Sequence, residues 1–583
     1  MNMILDSLFI PDELLKANIT SIWKKKGSRM DLSNDRGIFI LSIFRKILDK
    51  LLYLQLYPPI EGGMSYSNIG AKKHKNVRDH LFIVYGIINS TLKDGKECVD
   101  LQIYDLVQAF DALWLKDSMN DIYDILPPRY RDKKLALVYE TNKINLVAVN
   151  TPVGLTDRFS VNDIVQQGGG WGPIECSVSI DKLGRSCFKN RKYLYRFKDK
   201  VNILPLAMVD DLLAVAKCGL ESLAINTYIN VQIELKKLRF HVPDKDKRSK
   251  CHKIHIGKPN KFCPMLKVHG KEMPSSINEA YLGDIISSNG RNKVNLEDRK
   301  TKGIGKTSEI LCIVNKISLG RHFFKIALIL RETLFLSSIL TNSEVWYNLS
   351  ETDLNDINML DRKLLAMICS LPISTPTAAL YLELGCMRIS TIIKARRVNY
   401  LHYLIKLKKD EMLSQFFWFQ WFENCRYDWT YQVRQDLIDF GLPTDVEIIG
   451  MRSKLSWKNV VRKKAKEFEL KELLNENVTK SKTKDLKYVK LDMQEYLRRL
   501  DANKAKVVMK YHLKMASYAS NFKGGGGSKV CPLCSSHEDD QRFCFKCPGI
   551  DSSHEYEDIF ADIVTSEVAA KLEEIERKRS KCC

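Results

Sequence analysis

The sequence feature that most constrains the fold is a pair of adjacent aspartates inside an otherwise apolar run. Asp210 and Asp211 lie within Leu206–Val215, which reads LAMVDDLLAV. Apolar residues on both sides predict a strand–turn–strand with the acids at its tip. Neighbouring carboxylates that are taken out of water repel each other, and a divalent cation relieves that repulsion. The pattern therefore indicates a metal site, and an ordinary surface turn is the alternative.

A second acidic stretch lies upstream, at Val99–Trp114, which reads VDLQIYDLVQAFDALW. The residues before Asp105 predict a strand and those after it a helix, which places Asp105 at a strand end. Between the acidic stretches the chain reads QGGGWGP from Gln167 to Pro173, and these glycines allow a backbone to approach a ligand closely. The order is therefore a strand that ends in aspartate, a glycine-rich turn and an Asp-Asp hairpin.

This order resembles the palm of reverse transcriptases. It is most similar to the non-LTR (LINE-like) retrotransposon polymerases, whose third motif is usually (F/Y)ADD where this chain has MVDD. The resemblance runs from about Asp35 to about Ile405 and implies an α+β, right-hand polymerase fold with fingers, palm and thumb. A helical C-terminal region and a small zinc module would follow. The implied activity is RNA-directed DNA polymerisation, with two Mg²⁺ ions held by Asp105, Asp210 and Asp211.

The chain divides into seven expected segments on this basis. They are 1–95 (N-terminal segment and fingers), 96–297 (palm with part of the fingers), 298–410 (helical thumb), 411–523 (basic helical region), 524–528 (glycine-rich linker), 529–550 (zinc knuckle) and 551–583 (helical tail). Within the fourth segment, the aromatic run at 416–422 is better explained by a helix core than by base stacking.

The resemblance also assigns residues to nucleotide binding. Arg36 corresponds to an arginine that holds the triphosphate, a role that suits a planar and permanently charged guanidinium. Phe110 corresponds to the aromatic residue that closes the sugar pocket of enzymes that select deoxynucleotides, with a core phenylalanine as the alternative. Gln167 and Gly168 keep their places in a turn usually written PQGS. Its proline and serine are replaced by Gln166 and Gly169.

The sequence SKCHKIHIGK, ending at Lys258, resembles a KC-x-x-L-H-x-G block. Lys250 there corresponds to a lysine near the pyrophosphate that acts as general acid, with Lys236 and Lys237 as rivals and a solvated lysine as the alternative. This stretch and the residues just after it contain several metal-ligating residue types: Cys251, His252, His255 and Cys263. Alternate residues of one strand point to opposite faces, so we expect no metal site among them.

Two further blocks match the same polymerases. Tyr281, Leu282 and Gly283 match a turn that grips the primer strand. Residues 67–90 match a fingers block in which a basic turn (Lys72, Lys73, Lys75 and Arg78) precedes a helix. These cations would contact phosphates of the template, and a solvated run of charges is the alternative.

The net charge and the cysteines indicate the partners and the compartment of the protein. The formal charge is +22, which favours polyanionic partners, here an RNA template, a DNA primer or target, and dNTPs. No uncharged apolar run of about 18 residues occurs, so we expect no membrane span. The 16 cysteines are mostly scattered singly, which is typical of a reducing, intracellular compartment such as the nucleus or cytoplasm.

Two closely spaced cysteine pairs follow the flexible GGGGS linker. The pairs are CPLC at Cys531–Cys534 and CFKC at Cys544–Cys547. This spacing predicts one Zn²⁺ held by Cys531, Cys534, Cys547 and either Cys544 or His537. The linker is expected to isolate this module mechanically.

Another function remains open from the sequence. The altered glycine turn is compatible with a catalytically decayed or domesticated retroelement protein that only binds RNA.

Overall fold

The structure is a computed structural model that describes residues 2–25, 27–31, 34–107, 109–189, 194–236, 238, 250–258, 262–316, 320–426, 428–480, 482–483, 486–521, 530–535, 538–561 and 563–581. The chain forms two compact units: Met1–Arg291 with Leu407–Glu423, and Asn292–Lys406 with Asn424–Cys583.

All strands that the structure describes belong to the first unit. They are β1 (Lys16–Trp23), β2 (Asp35–Leu41), β3 (Cys98–Asp105), β4 (Ile144–Thr151), β5 (Gly154–Leu155), β6 (Phe159–Asn162), β7 (Tyr195–Phe197), β8 (Val201–Ile203), β9 (Leu206–Met208), β10 (Asp211–Lys217), β11 (His252–Gly257), β12 (Lys267–Val268), β13 (Lys271–Glu272), β14 (Asn278–Tyr281) and β15 (Asp284–Ser287). The α-helices of this unit are Asn2–Ser7, Asp12–Leu15, Ile43–Gly63, Val77–Asp94, Ala109–Ala112, Leu115–Ile125, Lys133–Lys143, Gly172–Lys189, Leu220–Leu235 and Met412–Glu423.

An antiparallel sheet in the order β11-β3-β10-β9 forms the centre of this unit. Helix Leu220–Leu235 packs on β10, and helix Val77–Asp94 contacts β3 and β11. With both faces covered, strand β10 is a nearly continuous apolar run, DLLAVAK, rather than an alternating one. Tyr104, Leu212 and Ile229 belong to the core cluster on one face.

A second sheet in the order β2-β1-β4-β5, with β6 also paired to β4, lies in the same unit. Strands β1 and β4 run parallel, whereas β1 and β2 form an antiparallel pair. The β-rich run Ile144–Thr151 forms strand β4.

The aromatic run at 416–422 forms helix Met412–Glu423. Phe416 is fully buried, with its ring centroid 4.7 Å from that of Phe197 and 5.9 Å from that of Phe82. Phe422 is exposed. The interpretation of this run as a helix core is therefore confirmed for Phe416.

The second unit is helical wherever its regular structure is described. Its α-helices are Lys293–Lys316, Phe323–Leu330, Ser337–Ile339, Glu351–Ile368, Thr377–Leu384, Ile389–Ile405, Trp429–Asp439, Val446–Met451, Lys454–Val478, Glu495–Arg499, Ala502–His512 and Ser566–Ser580, with a π-helical turn at Arg331–Leu336. Buried Arg331 donates two hydrogen bonds to Asp361, at 2.7 and 2.6 Å, so the π-helical turn is tied to the following long helix by a bidentate ion pair. Among the described residues, no helix is both long enough and apolar enough to cross a membrane.

Candidate active site

Three aspartates meet at one end of the central sheet. Asp105 is the last residue of β3 and Asp211 is the first residue of β10, and the two are direct partners in the antiparallel register. Direct partners have Cα atoms about 5 Å apart. Asp210 lies in the turn that joins β9 to β10, so the strand–turn–strand prediction is confirmed.

The Asp-Asp turn contains a strained residue. Val209 has a φ of +57°, which is unfavourable for a β-branched side chain. The segment around Ile69 holds the turn in place, because the amide of Ile69 donates to Ala207 O at 3.0 Å. Gly70 lies so close that a Cβ there would stand 2.6 Å from the amide nitrogen of Val209. The strain is thus supported by packing around the two acids.

Burial is the largest influence on the pKa values of Asp210 and Asp211. Burial, together with the charges of Asp210 and Asp105, raises the pKa of Asp211 to about 6. Burial also raises the pKa of Asp210, while Lys250 and Arg36 oppose the shift. Carboxylate oxygens are ligands that Mg²⁺ prefers, and a bound cation relieves the repulsion between them. These residues therefore fit a magnesium site.

Two cations reach the carboxyls. Lys250 Nζ donates to Asp105 Oδ2 at 2.8 Å, and the charge of Arg36, on strand β2, reaches Asp210. Of the two rival lysines, Lys236 is bound to the buried Asp121, and Lys237 lies outside the described residues. The structure therefore places Lys250 at the acidic cluster.

We predict that the metal-free protein loses stability as the pH rises through about 6, because of Asp211. The pKa of its carboxyl in the folded state, about 6, lies above the usual value of 3.8. The folded state therefore binds the proton more tightly, and the contribution is present below about pH 4 and lost as the pH rises. Urea unfolding in EDTA at about pH 5 and pH 7.5 should show the wild type weakening relative to Asp211→Asn. Mg²⁺ should restore stability at the higher pH in the wild type alone, and identical pH profiles of the two proteins would contradict the prediction.

The glycine-rich turn lies against strand β2. The amide of Phe39 donates to Gln167 O at 2.8 Å. Gly168 has a φ of +110°, and a Cβ there would lie 2.8 Å from Phe39 O. A Cβ on Gly172 would lie 2.1 Å from Gln166 O and 3.7 Å from Phe110 Cε1. The turn therefore brings the strand that carries Arg36 and the ring of Phe110 to the same place.

The replaced proline of this turn has a structural reason. Gln166 is buried, and its Nε2 donates to Asn145 Oδ1 on β4 at 2.5 Å. Its amide therefore attaches the turn to the second sheet, a role that proline has no side-chain donor to fill.

Gly168→Ala should destabilise the protein by about 1–3 kcal/mol and weaken any activity that depends on the turn. The left-handed φ and the close approach to Phe39 both disfavour a side chain at this position. Gly170→Ala is a matched control, since a Cβ there would meet only Asp49 Cβ, at an ordinary 3.6 Å. Urea unfolding of the two variants checks the difference, and equal stability of both would contradict the close packing of Gly168.

Tyr281, Leu282 and Gly283 form a tight hairpin between β14 and β15. Leu282 and Gly283 have φ values of +48° and +89°, which is typical of a type I′ turn. Tyr281 is buried, and burial together with the nearby charge of Asp211 raises the pKa of its hydroxyl. The residues matched to a primer grip therefore lie near the aspartate cluster.

A buried histidine holds this hairpin. Burial lowers the pKa of His80 to about 3, so its ring is neutral at pH 7. His80 Nε2 lies 2.9 Å from Ser67 O, a carbonyl that only accepts, which places the proton on Nε2. Nδ1 then accepts from the hydroxyl of Tyr281 at 3.4 Å. Ser67, which also accepts from the amide of Ala207 beside the Asp-Asp turn, is thus linked to Tyr281.

Sequence reasoning missed a buried charged group behind the glycine turn. Arg45 is fully buried and donates to Asp49 Oδ1 and to Asn142 Oδ1, both at 3.0 Å. Glu175 is also buried, and burial, with the charge of Asp49, raises its pKa to about 8. The available signal was the appearance of charged residues on the apolar face of helix Ile43–Gly63.

The basic turn before helix Val77–Asp94 is partly engaged within the protein. Lys72 Nζ donates to Ser65 O at 2.6 Å, and burial lowers its pKa to about 8. Lys75 is paired with Glu411. The expectation that these two lysines contact a template is therefore weakened, whereas Lys73 is exposed.

The C-terminal cysteines form a cluster of three. The sulfur atoms of Cys531, Cys534 and Cys547 all lie within 4.8 Å of one another. Cys544 is buried but is not a member of this group, and His537 lies outside the described residues. Three thiols at these distances fit a zinc ion, with the fourth ligand open between the two expected candidates.

The expected mechanical isolation of this module is wrong. Ser520 donates its amide to Asp539 O at 3.0 Å, and Gln541 Nε2 donates to Tyr511 O at 2.7 Å. Arg579, in the last helix, pairs with Asp539 at 2.8 Å. These polar contacts attach the module to the segments on both sides of it, although the linker residues themselves lie outside the described residues.

No protein-family profile and no curated protein matches the chain. Among solved structures it is similar to apo telomerase from Candida tropicalis, at 13% identity and a TM-score of 0.36, over 71% of this chain and 72% of that one. Telomerase from Candida tropicalis with a TWJ fragment of telomeric RNA gives 13% identity and 0.37, over 78% and 65%. The C-terminally truncated apo enzyme gives 13% and 0.31, and this chain spans only 57% of its length. These values describe a distant likeness.

Proposed function

We propose that this protein is an RNA-directed DNA polymerase of the non-LTR retrotransposon type, which transfers nucleotides to a primer 3′-hydroxyl. The observation that carries the proposal is the meeting of Asp105, Asp210 and Asp211 from two distant stretches at one sheet end. Burial and repulsion between the acids raise the pKa values of Asp210 and Asp211. A bound divalent cation would relieve this repulsion. A structural ion pair is a weaker explanation, because three carboxyls meet here and the ion pair of Lys250 with Asp105, at 2.8 Å, brings a single positive charge to them.

The three aspartates would hold two Mg²⁺ ions. When bound, these ions would lower the pKa of the primer 3′-hydroxyl and neutralise the charge of the departing pyrophosphate. Lys250, beside Asp105, is positioned to give a proton to the leaving group. Arg36, whose charge reaches Asp210, would bind the triphosphate, since guanidinium pairs well with phosphate oxygens.

The remaining nucleotide contacts come from the glycine turn. Gly168 presents backbone with no side chain in the way, and Gln167 is fixed by its carbonyl bond to Phe39. The ring of Phe110 borders the same turn at Gly172, where it would crowd a ribose 2′-hydroxyl. Tyr281, Leu282 and Gly283 would place the primer end near Asp211.

The proposed partners are an RNA template, a DNA primer and dNTPs. The formal charge of +22 supports a polyanionic partner of this kind, through release of counterions. We further propose one Zn²⁺ at Cys531, Cys534 and Cys547, which would hold the C-terminal module together.

The test is primer extension with an RNA template, an annealed DNA primer, four dNTPs and Mg²⁺. The proposal expects extension that requires both Mg²⁺ and the template. Tight binding of the primed template without extension would instead support the decayed, RNA-binding alternative. Failure of both binding and extension would contradict both functions.

Phe110→Val should relax discrimination against ribonucleotides by about tenfold or more, because the smaller side chain leaves room beside Gly172. Competition between a dNTP and the matching rNTP in steady-state extension measures this ratio. Phe110→Tyr keeps the ring and should keep the discrimination. Unchanged discrimination in Phe110→Val, together with lowered stability, would return Phe110 to a purely structural role in the core that it contacts.

A further inference from the structure

Four side chains with metal-binding atoms meet at the end of the central sheet that lies opposite Asp105. Cys98 begins β3 and Asp100 follows two residues later, so both point to the same face. His255 of β11 is the direct partner of Asp100. Cys218 follows β10, and its amide donates to Cys98 O at 3.1 Å. Seven residues of strand separate Cys98 from Asp105, a distance of about 23 Å.

The distances within this group are those of a coordination sphere. The ligand atoms of Cys98, Cys218 and His255 all lie within 4.8 Å of one another. Cys218 Sγ is 3.4 Å from His255 Nδ1, and Asp100 Oδ1 is 3.4 Å from the same sulfur and 3.0 Å from the same nitrogen. Zinc bonds of about 2.0–2.3 Å in a tetrahedron place sulfur and nitrogen ligands roughly 3.5 Å apart.

The Nε2 hydrogen bond of His255 orients its ring for metal binding through Nδ1. Nε2 lies 3.2 Å from Lys258 O, a carbonyl that only accepts, which places the ring proton on Nε2. Nδ1 faces Cys218 and the carboxylate of Asp100, which also only accepts, so a metal ion bound here would take the place of a proton on Nδ1. A backbone carbonyl that accepts from the second ring nitrogen is the usual support of a metal-bound histidine.

The carboxylate of Asp100 is oriented from its other side. Ser222 Oγ donates to Asp100 Oδ2 at 2.7 Å, and Ser222 in turn accepts from Gln102 Nε2 at 2.9 Å. Asp100 is almost completely buried, whereas His255 is 26% exposed. An open surface cavity of ≈ 540 Å³ borders Cys218. The donors are therefore fixed from within and reachable from outside.

We propose that Cys98, Cys218 and His255 bind a zinc ion, with Asp100 as the fourth donor. Two sulfurs, an imidazole nitrogen and a carboxylate oxygen match the donor types of zinc and not those of Mg²⁺ or Ca²⁺. The ion would tie β3, β10 and β11 together at the end away from the three aspartates. This site is separate from both the proposed magnesium cluster and the C-terminal cysteine cluster, and it does not depend on the polymerase assignment.

The experiment isolates this site from the C-terminal cluster. In the full chain, Cys531→Ser, Cys534→Ser and Cys547→Ser are combined, the protein is kept reduced, and it is titrated with Co²⁺ and then with Zn²⁺. We expect one equivalent of Co²⁺, with a thiolate charge-transfer band, that one equivalent of Zn²⁺ displaces. Adding Cys218→Ser or His255→Asn should weaken this binding at least tenfold, with an unchanged circular dichroism spectrum. Adding Cys312→Ser, which removes an exposed cysteine of helix Lys293–Lys316, should leave it unchanged.

Several results would overturn the proposal. They are no bound metal in the combined variant, binding that survives Cys218→Ser, or a Cys98–Cys218 disulfide in the protein as purified. The alternative is an ion pair between a protonated His255 and Asp100 without a metal, which also predicts no bound metal in the combined variant. If the combined variant does not fold, the wild type decides the matter: two zinc equivalents that fall to one in His255→Asn support the site, and a zinc content unaffected by that substitution contradicts it.

Discussion

Asp210→Asn should reduce primer extension by about 10³-fold or more while leaving binding of the primed RNA template within a few-fold. The substitution removes one carboxylate from the cluster that would hold Mg²⁺, and such ions supply several kcal/mol of transition-state stabilisation. Template binding depends on the basic surface as a whole, which one substitution changes little. Single-turnover extension and filter binding, at one salt concentration, measure the two quantities.

Asp117→Asn is the matched control for this prediction. It also removes a single carboxylate, but from an exposed position on helix Leu115–Ile125. Both variants therefore change the net charge equally, and only Asp210→Asn should lose extension. Extension by Asp210→Asn at a rate near that of the wild type would show that the acidic cluster does not hold the catalytic metal.

The sequence predicted the Asp-Asp hairpin because its signals are local. Apolar residues flank the acids, and a two-residue turn needs only neighbouring residues to form. The direct pairing of Asp105 with Asp211 lay beyond local reasoning, since strand register is set by contacts between residues far apart in the chain. The resemblance to a polymerase palm, rather than periodicity, placed these acids together.

The same limitation explains why the sequence did not predict the group of Cys98, Cys218 and His255 in the central sheet. Reasoning along β11 alone correctly separated neighbouring residues onto opposite faces, and so it rejected a metal site there. The structure brings His255 to Cys98 of β3 and to Cys218 just after β10, which a single-strand pattern does not reveal. The buried pair of Arg45 and Asp49 is different, because both residues lie on helix Ile43–Gly63 and the charges on its apolar face were a local signal.

Departures from a motif carried information of another kind. Gln166 replaces the proline expected in the glycine turn, and from the sequence this favoured a decayed site. In the structure its buried amide donates to Asn145, so the replacement has a local structural purpose. Gly168, which keeps its place in the motif, adopts a φ that other residues rarely adopt. The turn thus has a backbone shape that a residue larger than glycine at position 168 would disturb.

Lys250→Ala should lower the rate of single-turnover extension by about 10²- to 10⁴-fold, the usual contribution of a positioned general acid. Lys250 Nζ is 2.8 Å from Asp105 Oδ2 and its side chain is 60% exposed, so the group is anchored at the cluster yet open to a leaving group. Removing it also removes a charge that favours ionisation of Asp210 and Asp211. Lys250→Ala should therefore shift the onset of activity to higher pH as well as lower the maximum rate.

Lys250→Arg separates these two effects. Arginine keeps the positive charge but does not release a proton at neutral pH, so it should restore the pH onset and not the maximum rate. Lys258→Ala, which removes an exposed lysine at the far end of the same stretch, should change neither quantity. Full recovery of the rate in Lys250→Arg would reduce the role of this lysine to neutralising the carboxylates. An unchanged rate in Lys250→Ala would move the proton donor to another group or to water.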